Sequence, residues 1–256
     1  LDRPVAIKFI KSLDIIDRLK DEVNALTNLR SKHVVQVFDI VDLGDLGFGI
    51  VMEFIQGVDL SEADLGLYSF HQRLHLIWQI SAGIADIHKS NIIHRDLKPQ
   101  NIRIDDENII KILDFGLARV YGEDSATVGY RGTLGFSAPE LFKAGLINFT
   151  PSVDTYAFGI ICVILLGIDL PLELRSCPPH PLQTNLFKIE ELSSYHELID
   201  TLYHCLSFDE ARRPNMSKVE EVLRKCLTFN RHQAIMTLDN DKDAYVVNSQ
   251  HKKVIL

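Results

Sequence analysis

Four short blocks of residues, in a fixed order, constrain this chain more than any other feature. HRDLKPQN occupies residues 94–101 and ILDFG follows at 112–116. GTLGFSAPE spans 132–140, and VAIK stands near the start at 5–8. A single DFG or APE carries little information, but the three later blocks in this order and at these spacings are very unlikely to occur by chance.

In this order the blocks resemble the signatures of the protein kinase family, and the resemblance covers roughly residues 4–228. It implies a bilobal α+β fold, with a small β-rich N-lobe and a larger, mainly α-helical C-lobe. It also implies ATP and Mg²⁺ as cofactors and a protein as phosphate acceptor. The form DLKPQN is similar to serine/threonine kinases, whereas tyrosine kinases usually differ after the Asp. We therefore expect a serine/threonine protein kinase.

The residue types in these blocks suit phosphoryl transfer, which needs a carboxylate near the acceptor hydroxyl, positive charge on the phosphates and ligands for Mg²⁺. We expect Asp96 to be the catalytic base or the carboxylate that orients the hydroxyl. Lys98, two residues later, would lie on the same side of an extended loop and neutralise the transferring phosphate. Asn101 and Asp114 carry the hard oxygen ligands that Mg²⁺ prefers.

The first strand-like run is PVAIKFI, which alternates and is rich in β-formers. The resemblance implies that Lys8 contacts the α- and β-phosphates and pairs with a helix glutamate. Apolar residues at helical spacing predict a helix over 12–29, and Glu22 falls where that glutamate belongs. The separation of Glu22 from Lys8 is shorter than the family usually shows, so the linker must be tight.

Two further strand-like runs, at 34–41 and 48–55, flank a turn at 44–47. MEF followed by Gln-Gly resembles the hinge between kinase lobes. By that match Met52 is the gatekeeper, and the backbone of Glu53 and Ile55 would meet adenine. Met52 can also be an ordinary core methionine, and both interpretations can hold because a gatekeeper is buried.

A helix is predicted over 70–90 from its apolar face, and a hairpin over 101–113 with its turn at 105–108. One residue of this hairpin departs from the family. An aliphatic side chain usually forms the floor under adenine where Arg103 stands. An arginine stem can pack against a ring, but the residue counts against ordinary ATP affinity.

Residues 114–140 correspond to the activation loop of the family, and Arg95 beside the catalytic Asp suggests control by phosphorylation there. A phosphate would draw arginines together and order the loop. Two further arginines fall where the family places basic partners, Arg18 and Arg119. The available acceptors are Ser125, Thr127 and Tyr130, of which we favour Thr127.

Five residues are expected to have structural roles, one of them Arg95. Thr133 would bridge Asp96 and Lys98 through its hydroxyl, and Asp154 would hold the backbone of the catalytic loop, residues 94–101, from below. Glu140 and Arg213 resemble the buried pair that anchors the end of the activation loop. Helices predicted over 152–168 and 194–228 complete the large lobe.

Composition bounds the partners and the compartment. The 256 residues have a formal net charge of −8, which argues against nucleic acid or an anionic membrane as the main partner. The apolar run at 159–167 is too short to span a membrane and reads as a buried core helix. Four scattered cysteines without a CxxC pair are expected to be reduced thiols in a cytoplasmic protein.

The sequence divides into a truncated N-lobe (1–55), a C-lobe (56–228) and a β-like tail (229–256). In the family two strands joined by a glycine-rich loop normally precede VAIK. Either the chain begins inside the domain, which we expect, or the small lobe lacks this phosphate lid. In the tail AIMTL, AYVVN and KKVIL read as β-like, with DNDKD as a turn, and predict a hairpin or the start of a further domain.

Two other functions are consistent with part of the pattern. A kinase-shaped scaffold or nucleotide-binding regulator with little catalysis would explain Arg103 and the absent glycine-rich loop, but not the intact set of Lys8, Asp96, Asn101 and Asp114. A small-molecule phosphotransferase of related shape would generally lack GTxxxxAPE and the helix motif around Asp154.

Overall fold

The structure is a computed structural model of the chain. It describes the residues in the ranges 4–10, 23, 26–44, 47–115, 119–120, 126–128, 133–143, 146–176, 178–183, 186–240, 246–247 and 253–254.

The small lobe is built on an antiparallel sheet of three strands, β1 (Val5–Ile10), β2 (Val37–Asp42) and β3 (Phe48–Glu53), in the order β1-β3-β2. Burial alternates along β1, as expected for a strand with one face on a core. Leu43 and Gly47 close the β2–β3 turn through a 2.8 Å backbone hydrogen bond. The three strand predictions are confirmed.

A second antiparallel sheet, two of whose strands follow the catalytic loop in the chain, includes Arg103 and Lys111. It contains β4 (Gly57–Asp59), β6 (Ile102–Asp105) and β7 (Ile110–Ile112) in the order β4-β6-β7. Gly57 has φ +146°, and a Cβ there would lie 2.0 Å from the carbonyl oxygen of Ile104, so only glycine fits. The carboxylate of Asp105 accepts backbone N–H groups of Glu107 and Ile109 in the predicted turn, which confirms the hairpin.

Helix α1 (Phe70–Lys89) confirms the helix predicted over 70–90. It begins with a capping box, in which the Ser69 hydroxyl accepts the Gln72 N–H and the Gln72 side chain accepts the Ser69 N–H. Its apolar face is fully buried at Leu74, Ile77, Ile80, Ile84 and Ile87.

Four further α-helices follow α1 in the described part of the chain. Helix α2 (Ser152–Leu165) is buried along almost its whole length, confirming the predicted core helix. A short helix α3 (Leu172–Arg175) is followed by α4 (His196–Cys205) and α5 (Met216–Asn240). Helix α5 packs against α1, where the indole of Trp78 donates to the Glu220 carboxylate at 2.9 Å. None of the described helices is long and apolar enough to cross a membrane.

Four short strands form two small antiparallel pairs around the catalytic region. These are β5 (Ile92–Ile93) with β8 (Arg119–Val120), and β9 (Ala126–Val128) with β10 (Leu146–Asn148).

The tail corrects one prediction. AIMTL at 234–238 is not a strand, because α5 continues through it to Asn240. No glycine or proline interrupts residues 216–240, and an established helix adds residues at little cost. The two later β-like runs do pair, as β11 (Val246–Val247) with β12 (Lys253–Val254).

The described residues therefore form a small β-sheet lobe and a larger helical lobe, and the predicted fold class is confirmed. Most of the helix predicted over 12–29 lies outside them, although Val23 and Leu26 are helical and buried. The three described cysteines, Cys162, Cys205 and Cys226, are free thiols. Burial raises the pKa of Cys205 to about 12, so this thiol is unreactive at neutral pH.

Candidate active site

One buried carboxylate accepts backbone hydrogen bonds from the catalytic loop that follows β5. Asp154, near the start of α2, is 1% exposed and accepts the backbone N–H groups of His94 and Arg95 at 2.8 and 2.9 Å. His88 of α1 reaches the same carboxylate through Nε2 at 2.9 Å. This is the contact that the sequence predicted for Asp154, with His88 added to it.

The charge of Asp154 is stabilised by these partners. Burial raises the pKa of this carboxyl, but the hydrogen bond and charge of His88, the charge of His94 and the Arg95 N–H outweigh burial, and the pKa is lowered. Asp154 is therefore an anion that fixes the loop geometry at neutral pH.

Asp96 lies at the centre of a small polar network. The Thr133 hydroxyl donates to Asp96 Oδ1 at 2.7 Å and accepts from Lys98 Nζ at 2.8 Å. Lys98 also donates to Asp96 Oδ2 at 2.8 Å. The Asn101 amide donates to the Asp96 carbonyl at 2.8 Å. The Thr133 bridge is the contact that the sequence predicted.

Two residues of the site have left-handed backbone conformations. Arg95 has φ 70° and Asp114 has φ 59°. Non-glycine residues pay about 1–3 kcal/mol for such conformations, which persist only where the surroundings impose them. His94 supplies one such constraint, because its Nε2 donates to the carbonyl of Leu113 at 2.8 Å and its ring packs on Phe115.

A second charged pair of the site connects the small lobe with the large lobe. Lys8 of β1 forms an ion pair with Asp114, and the two side chains are 38% and 42% exposed. Glu22, the partner predicted for Lys8, lies outside the described residues. Lys8 and Asp114 are thus adjacent across the cleft between the lobes.

Asn101 and Asp114 fit a magnesium site that is completed by phosphate. Because Nδ2 of Asn101 is engaged with Asp96, the amide oxygen is the ligand candidate. Mg²⁺ is typically held by one or two protein oxygens together with substrate phosphates and water. The described part of the chain contains no cluster of three or more His, Cys, Asp or Glu side chains that could hold a metal ion.

The segment that joins the two lobes begins at Glu53, the last residue of β3. Met52 is half-buried against the core, and Ile55 is buried. The Glu53 N–H donates to the Gln36 carbonyl at 2.8 Å, so any contact between Glu53 and adenine would have to use its carbonyl. The Glu53 side chain accepts from Lys111 of β7 at 2.9 and 3.1 Å.

Arg103, the residue that departs from the family, lies on β6 and reaches the same segment. Its guanidinium donates to the Gly57 carbonyl at 2.7 Å and lies 3.5 Å from Asp59 Oδ1. Arg103 and Asp59 are also directly opposite each other in the backbone register of β6 and β4.

Glu140 and Arg213 form the predicted pair in the large lobe. Both guanidinium nitrogens donate to the carboxylate, at 2.6 and 2.8 Å, and both residues are buried. Arg213 also donates to the carbonyls of Ser207 and Ser152. The segment ending at Glu140 is therefore fixed to α2 and to the loop before α5.

The activation segment is described only in part. Thr127 lies on β9 opposite Ile147, and Arg119 lies on β8, with their backbones alone described. Ser125, Tyr130 and Arg18 lie outside the described residues. The Arg95 guanidinium is buried and stacks on the ring of Phe149, 3.4 Å from its centroid.

Sequence reasoning missed two residues that support the site. His88 lies in the last turn of α1, six residues before His94, and that closeness in sequence was the available signal for a role beside the catalytic loop. Lys111 of β7 donates to Glu53 of β3, a contact between two separate sheets that only the three-dimensional structure reveals.

The chain belongs to the protein kinase family. The family model for the protein kinase domain matches residues 2–235, which includes both lobes and every site residue described above.

Curated relatives agree with this. The chain is 31% identical over 185 residues to "Probable serine/threonine-protein kinase pknA2" of Bifidobacterium longum, covering 68% of this chain and 24% of that protein. It is 32% identical to the serine/threonine-protein kinase PrkC of Bacillus subtilis, covering 69% and 28%. It is 27% identical to the serine/threonine-protein kinase STY17 of Arabidopsis thaliana, covering 87% and 40%. The chain thus spans about a quarter to two fifths of the length of these relatives.

Proposed function

We propose that this chain is an active serine/threonine protein kinase domain, which transfers the γ-phosphate of Mg·ATP to Ser or Thr hydroxyls of a protein. The observation that carries the proposal is the network of Asp96, Lys98 and Thr133, which holds a carboxylate and an ammonium side by side. This pairing supplies the two groups that a hydroxyl acceptor and a transferring phosphoryl group require. The cytoplasmic location stays a prediction from the cysteine pattern.

On the acceptor side, Asp96 would orient the Ser or Thr hydroxyl and take its proton as the oxygen attacks. Lys98, already 2.8 Å from Asp96 Oδ2, would neutralise the charge that develops on the phosphoryl oxygens. Thr133 acts through these two residues, since its hydroxyl fixes the distance between them.

On the nucleotide side, Lys8 would contact the phosphates, and Asn101 and Asp114 would hold Mg²⁺. Bound Mg²⁺ would neutralise phosphate charge. Lys8 and Asp114 now neutralise each other, so phosphate and metal would exchange for existing partners of opposite charge.

The test is transfer of radiolabelled phosphate from ATP to a generic protein acceptor and to the chain itself, comparing wild type with Asp96→Ala. We expect Asp96→Ala to lower transfer about 10²–10⁴-fold. The matched control is Asp106→Ala, an exposed carboxylate in the β6–β7 turn, which should leave transfer unchanged. Loss of transfer in both variants, or in neither, would contradict the assignment.

A kinase-shaped scaffold gives a different result in the same assay. It would bind Mg·ATP but show no transfer above the Asp96→Ala background, in the wild type as well as in the variant.

We further propose that phosphorylation of the activation segment regulates activity, with Thr127 as the preferred acceptor. This proposal is supported by the position of Thr127 within residues 114–140 and by the presence of Arg95 next to Asp96. Thr127→Ala should lower activity several-fold, and Tyr130→Phe is the comparison within the same segment. Full activity of wild-type protein whose segment is shown by mass spectrometry to be unphosphorylated would reject this regulation.

A further inference from the structure

The β6–β7 hairpin carries both residues of the proposed magnesium site at its open end. Asn101 directly precedes β6, and Asp114 comes two residues after the end of β7. The Leu113 N–H donates to the Asn101 carbonyl at 2.8 Å, which keeps the two ends together. The positions of the two magnesium ligands therefore depend on what holds the rest of the hairpin.

Strand β7 is held on one side by residues 33–35, which lie between it and α1. The Ile112 N–H donates to the His33 carbonyl at 2.9 Å, and the His33 ring hydrogen-bonds to the Ile110 backbone. The opposite side of this segment touches α1, where a Cβ at Gly83 would lie 2.9 Å from the His33 carbonyl oxygen. His33 is thus enclosed between a helix and the hairpin.

Gln79 of α1 holds the same strand directly. Its Oε1 accepts the Ile110 N–H and its Nε2 donates to the Asn108 carbonyl, both at 3.0 Å. Because one backbone group is a donor and the other an acceptor, the amide can satisfy both in only one orientation. Nε2 of the same amide lies 3.0 Å from Nδ1 of His75, one helical turn earlier. Nδ1 of His75 must therefore accept, so the ring is neutral and carries its proton on Nε2.

Protonation of either ring would disturb this arrangement. A proton on Nδ1 of His75 would face an N–H of Gln79, donor against donor, and the amide could accept it only by turning away from its backbone partners. Nδ1 of His33 is buried and has no hydrogen-bond partner among the described residues. A proton there would find no acceptor, which is unfavourable in a buried site.

The charged groups nearby oppose protonation more than they favour it. The charge of Lys32 acts against protonation of both rings, and a charged His75 would act against a charged His33. Asp86 of α1 favours a charged His33, but its carboxylate already accepts the Ser31 hydroxyl at 2.7 Å.

The remaining neighbours of the two rings belong to α1, α5 and the hairpin. Trp78 packs on both rings, with centroids 5.7 Å from that of His33 and 5.3 Å from that of His75. Glu220 of α5 accepts from the indole of Trp78. His75 shares the wall of a cavity of about 300 Å³ with Tyr68, His71 and the uncharged Asn108 and Leu227.

These surroundings give both rings the same pH dependence. Burial is the main cause that lowers the pKa of His33 and of His75, and at His33 it outweighs the Ile110 backbone and Asp86. The stabilising contribution of each neutral ring is therefore complete above the ordinary histidine value of 6.5. It is lost as the pH falls below that value through the lowered pKa of the folded state.

We propose that Gln79 is a positioning residue for the magnesium site and holds the hairpin only while His33 and His75 are neutral. Acidification would release the β6–β7 hairpin from α1 and raise the Mg²⁺ concentration that phosphate transfer requires. This inference rests on the proposed function, because it takes Asn101 and Asp114 to be magnesium ligands.

Two NMR measurements test the cluster without reference to activity. Long-range ¹H–¹⁵N correlation gives the tautomer and the titration of each ring, and we expect the Nε2–H tautomer for His75 and titration below 6.5 for both rings. Amide hydrogen exchange reports the hold on the hairpin. The protection factor of the Ile110 amide should fall about tenfold between about pH 7.5 and about pH 5.5, whereas that of Ile84 within α1 should change less than about twofold.

The activity measurement is the Mg²⁺ concentration that gives half-maximal phosphate transfer, at the same two pH values. Comparing variants at one pH cancels the titration of ATP itself. His75→Gln keeps an acceptor for Gln79 but cannot become charged, so acidification should raise this concentration about fivefold less in the variant than in wild type. His71→Gln is the matched control, an exposed histidine one turn earlier on α1, and should respond as wild type does.

Gln79→Met tests the positioning role itself. It removes the contacts with Ile110, Asn108 and His75, and should raise the Mg²⁺ requirement about tenfold already at neutral pH. Thermal melting of each variant establishes that it is folded, and His75→Gln, at an exposed position, serves if Gln79→Met is not.

The outcomes are distinct. An Nδ1–H tautomer of His75, or its titration at or above 6.5, would overturn the proposal. The same acid response in His75→Gln as in wild type, or a wild-type Mg²⁺ requirement in Gln79→Met, would also overturn it. In each of these cases wild-type protein still transfers phosphate, so the proposed function stands. Wild-type protein with the expected tautomer and exchange but no transfer at any pH would reject the proposed function, and with it the role of this cluster in magnesium binding.

Discussion

The two halves of the candidate site are built in different ways. The half in the large lobe rests on charges that are buried and fully hydrogen-bonded, namely Asp154 under the catalytic loop and the Glu140–Arg213 pair. The half that faces the small lobe rests on Lys8 and Asp114, each more than a third exposed. Removing one partner of a buried ion pair is strongly destabilising because it leaves the other charge uncompensated, whereas an exposed pair contributes little to stability.

This difference corresponds to what each half would have to do. The acceptor groups can be positioned before any ligand arrives, because their partners belong to the protein. The nucleotide groups must exchange their partners when ATP and Mg²⁺ bind, and weakly held, solvent-exposed pairs can be exchanged at low cost. Mutations of the buried charges should therefore lower stability, whereas mutation of Lys8 should lower activity with little change in stability.

The largest loss of stability is expected from Glu140→Gln. It leaves Arg213 buried without its counter-charge, and we expect the free energy of unfolding to fall by about 3–5 kcal/mol. Denaturant unfolding measures it. The matched control is Glu197→Gln, which breaks an exposed pair with Lys218 at 3.4 Å and should cost less than about 1 kcal/mol. Similar losses in both variants would remove the contrast between buried and exposed charges.

Asp154→Asn should cost about 2–3 kcal/mol, because an amide presents an N–H₂ group to backbone donors that need an acceptor. It should also change the pH dependence of stability. The pKa of Asp154 is lowered in the folded state, so its contribution is present above the ordinary aspartate value of 3.8 and is lost as the pH falls below it.

The measurement is urea unfolding of both proteins between neutral pH and pH values below the ordinary aspartate value. Wild type should lose its advantage over Asp154→Asn on acidification. A difference between the two proteins that does not change with pH would show that the charge of Asp154 is not what stabilises the loop.

Thr133→Ala should act on chemistry more than on the fold. Removing the bridge loosens the positions of Asp96 and Lys98, and we expect kcat to fall about tenfold, equivalent to about 1.4 kcal/mol of activation free energy. KM for ATP should stay within twofold, and Thr133→Ser should restore most of the rate because it keeps the hydroxyl. A rise in KM with kcat unchanged would instead place Thr133 in substrate binding.

The smallest change in stability is expected from Lys8→Met. Its ion pair with Asp114 is exposed enough that the free energy of unfolding should change by less than about 1 kcal/mol. Phosphate transfer should nevertheless be lost, since no other cation of β1 faces the site. A loss of stability as large as that of Glu140→Gln would mean that the two halves are not built differently.

The sequence predicted the large-lobe half better than the nucleotide half. The contacts of Thr133, Asp154 and Glu140 could be named because the resemblance to the protein kinase family covers these positions. Arg103 was identified as unusual, but its contacts with Gly57 and Asp59 could not be derived, because they depend on the register between β4 and β6.

The tail and Lys111 also show that features set by the rest of the fold are hard to predict from local sequence. AIMTL has a composition that suits a strand, and the continuing helix α5 overrides that local preference. Lys111 looks like an ordinary exposed residue of a hairpin until the fold brings Glu53 beside it. Local pattern therefore predicts elements well and contacts between distant elements poorly.

The left-handed conformations of Arg95 and Asp114 affect the order in which this protein should lose activity and structure on heating. Both residues would relax to ordinary backbone angles if the packing around His94 loosened, and such local opening needs less free energy than global unfolding. Catalytic geometry should accordingly be lost at a lower temperature than helical structure. Heat would then produce a population that is still folded by circular dichroism and no longer able to react, and cooling would restore it.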